Sequence, residues 1–125
     1  MIYFDFRRYR KLFAADFETS TGAWDCNARV WLWDICSENY KHRTGTKLDD
    51  FMNRIIRTSI NYLYFFRNLA YDGMYILQWL LENGYKHVNE DSLEPNTFTT
   101  IIGEQGQHYC YRIMGRFSQT VTIMD

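Results

Sequence analysis

Seven residues near the middle of the chain, Ile60-Asn-Tyr-Leu-Tyr-Phe-Phe66, are apolar at almost every position. Successive strand side chains point to opposite faces, so an ordinary surface strand alternates. A run that is apolar on both faces belongs at the centre of a sheet, with material packed above and below it. The segment 60–66 is therefore read as a central strand, and the rest of the chain must supply its neighbours and its cover.

The flanking segments do so. Residues 1–10 are a lead-in, poorly fixed over 1–9. Lys11 to Glu18 reads as a buried strand, Thr19 to Asp25 as a turn containing Gly22, and Ala28 to Ile35 as a β-branched and aromatic strand. A third strand is expected over 39–43, ended by Gly45. Thr46 is expected to cap a helix whose buried stripe is Leu48, Phe51, Met52, Ile55 and Ile56. Asp49 and Asp50 suit its first turn and Arg57 its last. After the central strand, Arg67 to Tyr71 reads as a loop. A second helix follows from about Asp72 to Asn83, stopped by Gly84. A polar link, 86–96, leads to a hairpin with arms 97–102 and 108–114, turning at Gly103 to Gly106. Gly115 to Ser118 turns again, and Gln119 to Met124 is one more strand. A strand next to the last residue suggests an incomplete unit, with an open sheet edge prone to self-association.

Three strands on short connections form an antiparallel meander, and a crossover helix returns the fourth strand parallel to the first. The expected fold is α/β: a ribonuclease-H-like mixed sheet with flanking helices and a carboxy-terminal hairpin. Sites in such sheets gather at the carboxyl ends of central strands. The 125 residues make one domain or part of one, and 46% hydrophobic and 18% aromatic content suffices for a core. A net charge of −1 excludes a wholly basic nucleic-acid-coating protein. Cys26, Cys36 and Cys110 lack CxxC spacing and read as reduced thiols of a cytoplasmic protein. His42, His87 and His108 form no ligand pattern. No run is long enough to span a membrane, and no secretory signal is recognisable. Arg7, Arg8, Arg10 and Lys11 are a solvated edge or, alternatively, a phosphate contact.

Chemistry concentrates at Asp16-Phe17-Glu18-Thr19, where the first strand ends. Strand alternation sets Asp16 and Glu18 side by side. Two like charges there raise each other's pKa unless a cation intervenes, and hard oxygen donors suit Mg²⁺ or Mn²⁺. If the fourth strand is parallel to the first, its outgoing loop brings Asn68, Tyr71 and Asp72 to the same edge. Asp72 is then a third carboxylate, or simply a helix cap.

Asp-Phe-Glu-Thr after a strand, followed by Tyr-Phe-Phe-Arg-Asn-Leu-Ala-Tyr-Asp-Gly at 64–73, closely resembles the exonuclease domain of family B DNA polymerases. The resemblance is greatest to the protein-primed branch of phages and linear plasmids. The first exonuclease motif is matched by Asp16, Phe17, Glu18 and Thr19, and the second by Asn68, Asp72 and Gly73. It continues through Trp79 to Tyr85, Pro95 to Thr97 and the later hairpin, so 11–125 is expected to be the amino-terminal part of that domain.

The resemblance implies two-metal hydrolysis of the 3′-terminal phosphodiester of single-stranded DNA, for proofreading during replication. Asp16 would bridge both cations, Glu18 would hold one and Asp72 the other. Thr19 and Asn68 would contact the frayed strand, and Tyr71 would stack on the primer end. Thr19 as a turn residue and Tyr71 as a core aromatic are alternatives. Arg67 stands where relatives tend to carry His, and could grip a phosphate. The third exonuclease motif and the polymerase palm are absent, so the chain alone is expected to be nearly inactive. The implied partners are a single-stranded primer end and, in a full-length polymerase, a terminal priming protein. The alternative function is a non-catalytic single-stranded-DNA-binding module.

Overall fold

The computed structural model describes residues 8–20, 29–102 and 108–125. The turn expected over 19–25 therefore lies mostly outside the described residues, as does the hairpin turn at 103–106. The elements run β1 (Lys11–Thr19), β2 (Val30–Ser37), β3 (His42–Gly45), α1 (Leu48–Thr58), β4 (Tyr62–Phe66), α2 (Leu69–Glu82), β5 (Lys86–His87), β6 (Thr97–Ile102), β7 (His108–Met114) and β8 (Thr120–Met124). They build one eight-stranded sheet in the order β3-β2-β1-β4-β8-β7-β6-β5. β1, β2 and β3 form the antiparallel meander, and β4 lies parallel to β1, with Lys11 opposite Tyr62 and Ala15 opposite Phe66. The ribonuclease-H-like arrangement read from the element order is the one observed.

Four expectations are corrected. Lys47, not Thr46, is the N-cap of α1, and it makes no side-chain capping bond. The segment 67–71 is not a loop: α2 starts at Leu69, whose side chain is fully buried, and Asn68 is its N-cap. The polar link contains a two-residue strand, β5, which borrows its pairing from β6, and a 3₁₀ turn at Glu90–Ser92. β8 is not an open edge. It pairs parallel to β4 on one side and antiparallel to β7 on the other, so it is an interior strand.

The sheet is buried on both faces, as the composition of β4 demands. Tyr64 and Phe66 enter the larger core beneath α1 and α2, while Leu63 enters a smaller one with Cys110 and Met124 on the opposite face. Phe17, Phe51 and Phe66 meet edge-to-face with centroids 4.9 to 5.9 Å apart, and Trp33 packs on Phe51 at 5.7 Å. The indole N–H of Trp33 donates to the Lys47 carbonyl at 3.0 Å. Its ring covers Gly45 so closely that a Cβ there would lie 2.4 Å from it. The Trp79 indole N–H donates to Asp49 at 2.6 Å, joining the two helices.

Candidate active site

β4 stops opposite Ala15, while β1 continues for four more residues to Thr19. Ala15 and Phe17 point into the core, and Asp16 and Glu18 are exposed on the other side. The edge of β1 beyond β4 has no strand to bond to, and α2 covers it. Asp72 lies in the first turn of α2, only 5% exposed, and its carboxylate accepts the backbone N–H of Phe17. It is not the cap: the Asp72 N–H itself donates to the carbonyl of Asn68 at 2.9 Å.

Burial is the main cause that pushes the Asp72 carboxyl up to about 6 from 3.8. The Asp16 charge adds to it, the Phe17 N–H opposes it, and Glu18 raises it further. The three acids thus share one electrostatic field. Among the described residues, no three His, Cys, Asp or Glu side chains form a group arranged to hold a metal ion. Asp72 is a neighbour of the pair rather than a member of an assembled ligand set.

Gly73 fixes how closely α2 approaches the sheet. The Tyr111 hydroxyl on β7 donates to the Gly73 carbonyl at 3.1 Å, and a Cβ at Gly73 would lie 3.0 Å from the Tyr111 ring.

The other expected residues surround the acids. Tyr71 is 41% exposed, so it is not a core aromatic. Its hydroxyl lies 3.1 Å from Thr19 Oγ1 and 3.2 Å from the Tyr75 hydroxyl, and the two rings meet edge-to-face at 5.7 Å. The bonds from Thr19 and Tyr75 lower the Tyr71 pKa, whereas burial raises that of Tyr75. Thr19 is the last residue of β1 rather than a turn residue. Asn68 is exposed, with its carboxamide unused for capping. Arg67 is exposed and lines a cleft of about 390 Å³ with Asp16, Asp34, Cys36 and Phe65.

Two residues of this neighbourhood escaped sequence reasoning. Asp34 stands directly across the β1–β2 ladder from Asp16, and its two oxygens lie 3.0 Å from Nδ1 of His42. Like charges directly opposite on a sheet repel, and the imidazole on Asp34 offsets part of that cost. The signal was available only through the register, which places 16 and 34 on one face. Tyr75, four residues after Tyr71, could have been found from helical spacing.

The fold and its acidic strand end define a ribonuclease-H-like α/β domain. No protein-family model matches the chain. It is 37% identical over 124 residues to the DNA polymerase of Bacillus phage Nf, a match covering 93% of this chain and 20% of that protein. It is 38% identical over 102 residues to the DNA polymerase of Bacillus phage phi29, covering 80% of this chain and 17% of that protein. Phi29 DNA polymerase complexed with single-stranded DNA superposes with a TM-score of 0.78 at 33% identity, over 93% of this chain and 21% of that one. The same polymerase with primer-template DNA and incoming nucleotides gives 0.77. The chain is a homologue of the phi29-like phage DNA polymerases, matches their N-terminal region, and spans about a fifth of their length.

Proposed function

We propose that this chain carries part of a 3′–5′ exonuclease centre that acts on the end of single-stranded DNA. The observation that carries the reading is Asp72: a buried carboxyl, seated by α2 on the backbone between Asp16 and Glu18, and destabilised by both their charges. Such a donor set fits a hard divalent cation, which would relieve that repulsion. Asp16, Glu18 and Asp72 would hold Mg²⁺ or Mn²⁺. When bound, such ions polarise a phosphodiester and supply hydroxide near neutral pH.

The chain's own residues bind and orient the strand. The exposed Tyr71 ring offers a stacking face, held in place by the Thr19 and Tyr75 hydroxyls. Asn68 presents a free carboxamide, and Arg67 places a permanent cation in the cleft beside Asp16, where a phosphate would sit. The likeness to a polymerase described with single-stranded DNA supports this reading. At the scale of the whole protein, the proposal is a protein-primed family B DNA polymerase working in the host cytoplasm, with a terminal priming protein as partner. No helix among the described residues is long and apolar enough to cross a membrane.

Calorimetric titration with Mn²⁺ tests the metal assignment. Weak binding should disappear in Asp16→Ala and survive in Asp50→Ala, an exposed acid in the first turn of α1. Binding that survives the first change would remove the proposal. The chain alone should degrade single-stranded DNA little or not at all, since no complete ligand group is present among the described residues. That same observation favours the second reading, a metal-independent single-strand-binding module. It predicts oligonucleotide binding that is indifferent to chelator and abolished by Tyr71→Ala.

A further inference from the structure

At the other end of β1, a groove of about 870 Å³ opens between the sheet and the last turns of α1. Five of the chain's fourteen lysines and arginines line it: Arg10, Lys11, Lys41, Arg43 and Arg54. They come from four separate places: the lead-in, β1, the β2–β3 connection with β3, and α1. A single carboxylate, Glu38, is among the lining residues, and its Oε1 accepts the Leu12 N–H at 3.1 Å. The ion pairs among the described residues are His42 with Asp34 and Arg112 with Glu90, so none of the five cations is neutralised by an acid. In a chain of net charge −1, this is a local concentration of positive charge. It calls for a polyanion.

The floor of the groove is aromatic. Phe13 stacks on Tyr64 with centroids 4.9 Å apart and planes at 13°, and Tyr62 tilts against Phe13 at 5.5 Å. Lys11 Nζ stands 5.7 Å from the centre of the Tyr62 ring. At the rim, in the turn between Asn39 and Lys41, Tyr40 is 85% exposed with φ of 61°. A bulky residue rarely adopts that left-handed conformation. The turn is held by the Tyr40 N–H on the Ser37 carbonyl at 2.9 Å, and it turns the ring outward.

Unpaired cations along a groove with ring faces beside them match the two demands of a single nucleic-acid strand: phosphates against charge, bases against aromatic planes. An acidic polypeptide would use the charges and leave the rings idle. Lys11 lies five residues before Asp16, roughly 17 Å along the strand. We infer that this groove is a second site for single-stranded DNA, distinct from the acidic end of β1 and separated from it by the length of the strand. It stands on its own charges and rings, so it does not depend on the exonuclease reading.

Fluorescence anisotropy of a labelled oligothymidylate, in EDTA, tests the inference on the 125-residue chain. The double variant Lys41→Ala with Arg43→Ala changes two exposed side chains at the sheet edge. It should weaken binding about tenfold and lower the salt-dependence slope by roughly two. Tyr40→Gly should weaken binding about fivefold, yet melt at a higher temperature, because glycine accepts the positive φ. Asp16→Ala should bind as well as the parent chain or better, which separates this groove from the acidic site. A double variant with native circular dichroism and unchanged affinity and slope would overturn the inference. So would displacement of the oligonucleotide by polyglutamate at equal charge concentration, which would assign the groove to an acidic protein.

Discussion

Asp72 is buried next to two other carboxylates, and its ionisation opposes folding. Its folded pKa, about 6, lies above the unfolded value of 3.8. Between those values the folded chain holds more protons, so stability falls as pH rises through that interval; above about 6 the whole penalty is present. Two pKa units correspond to about 3 kcal/mol. In chelator at pH 8, Asp72→Asn should therefore stabilise the chain by up to about 3 kcal/mol and flatten the pH dependence of the denaturation midpoint. A variant less stable than the parent at pH 8 would contradict this account. Tyr71 separates differently. Tyr71→Phe keeps the ring and should bind oligonucleotide nearly as the parent does, whereas Tyr71→Ala should lose about fivefold or more. At this scale the sequence made Asp16, Glu18 and Asp72 legible, because alternation and a matched motif both point to them. Asp34 was not legible, since it becomes a neighbour of Asp16 only through a cross-strand register that no local pattern encodes.

Among the elements, the helices were readable from their buried stripes, and their starts were not. In α1 the apolar repeat of Phe51, Met52, Ile55 and Ile56 is unmistakable, and all four are buried. In α2 the first turn, Leu69-Ala-Tyr, carries no capping signal, and the burial of Leu69 against the core sets the start instead. β5 escaped notice because both of its residues are exposed and only pairing with β6 makes it a strand. The join between β3 and α1 depends on Trp33 lying over Gly45. Trp33 is 5% exposed and tied to Lys47, so it cannot retreat from an added methyl group. Gly45→Ala should cost roughly 2–3 kcal/mol in a urea melt. Trp79→Phe, which removes the bond to Asp49 but keeps most of the ring, should cost about 1–2 kcal/mol. A loss under half that would mean the helix-to-helix bond adds little.

For the whole molecule, the eight-stranded order was only half visible in advance. Local connections dictate the meander, the parallel return of β4 and the β6–β7 hairpin. The position of β8 depends on pairing with β4 across more than fifty intervening residues, and a strand pattern alone does not name its partners. Its place determines which part of the sheet is hardest to open. Backbone amides of β4 and β8 should be the last to exchange with deuterated solvent, and those of the edge strands β3 and β5 among the first. β8 joins two half-built sheets, β3-β2-β1-β4 and β7-β6-β5, which share no ladder without it. A ribosome delivers that keystone after both halves. Until it emerges, each nascent half carries a bare strand edge, so the chaperones of the producing cell meet this protein as two unfinished ribbons.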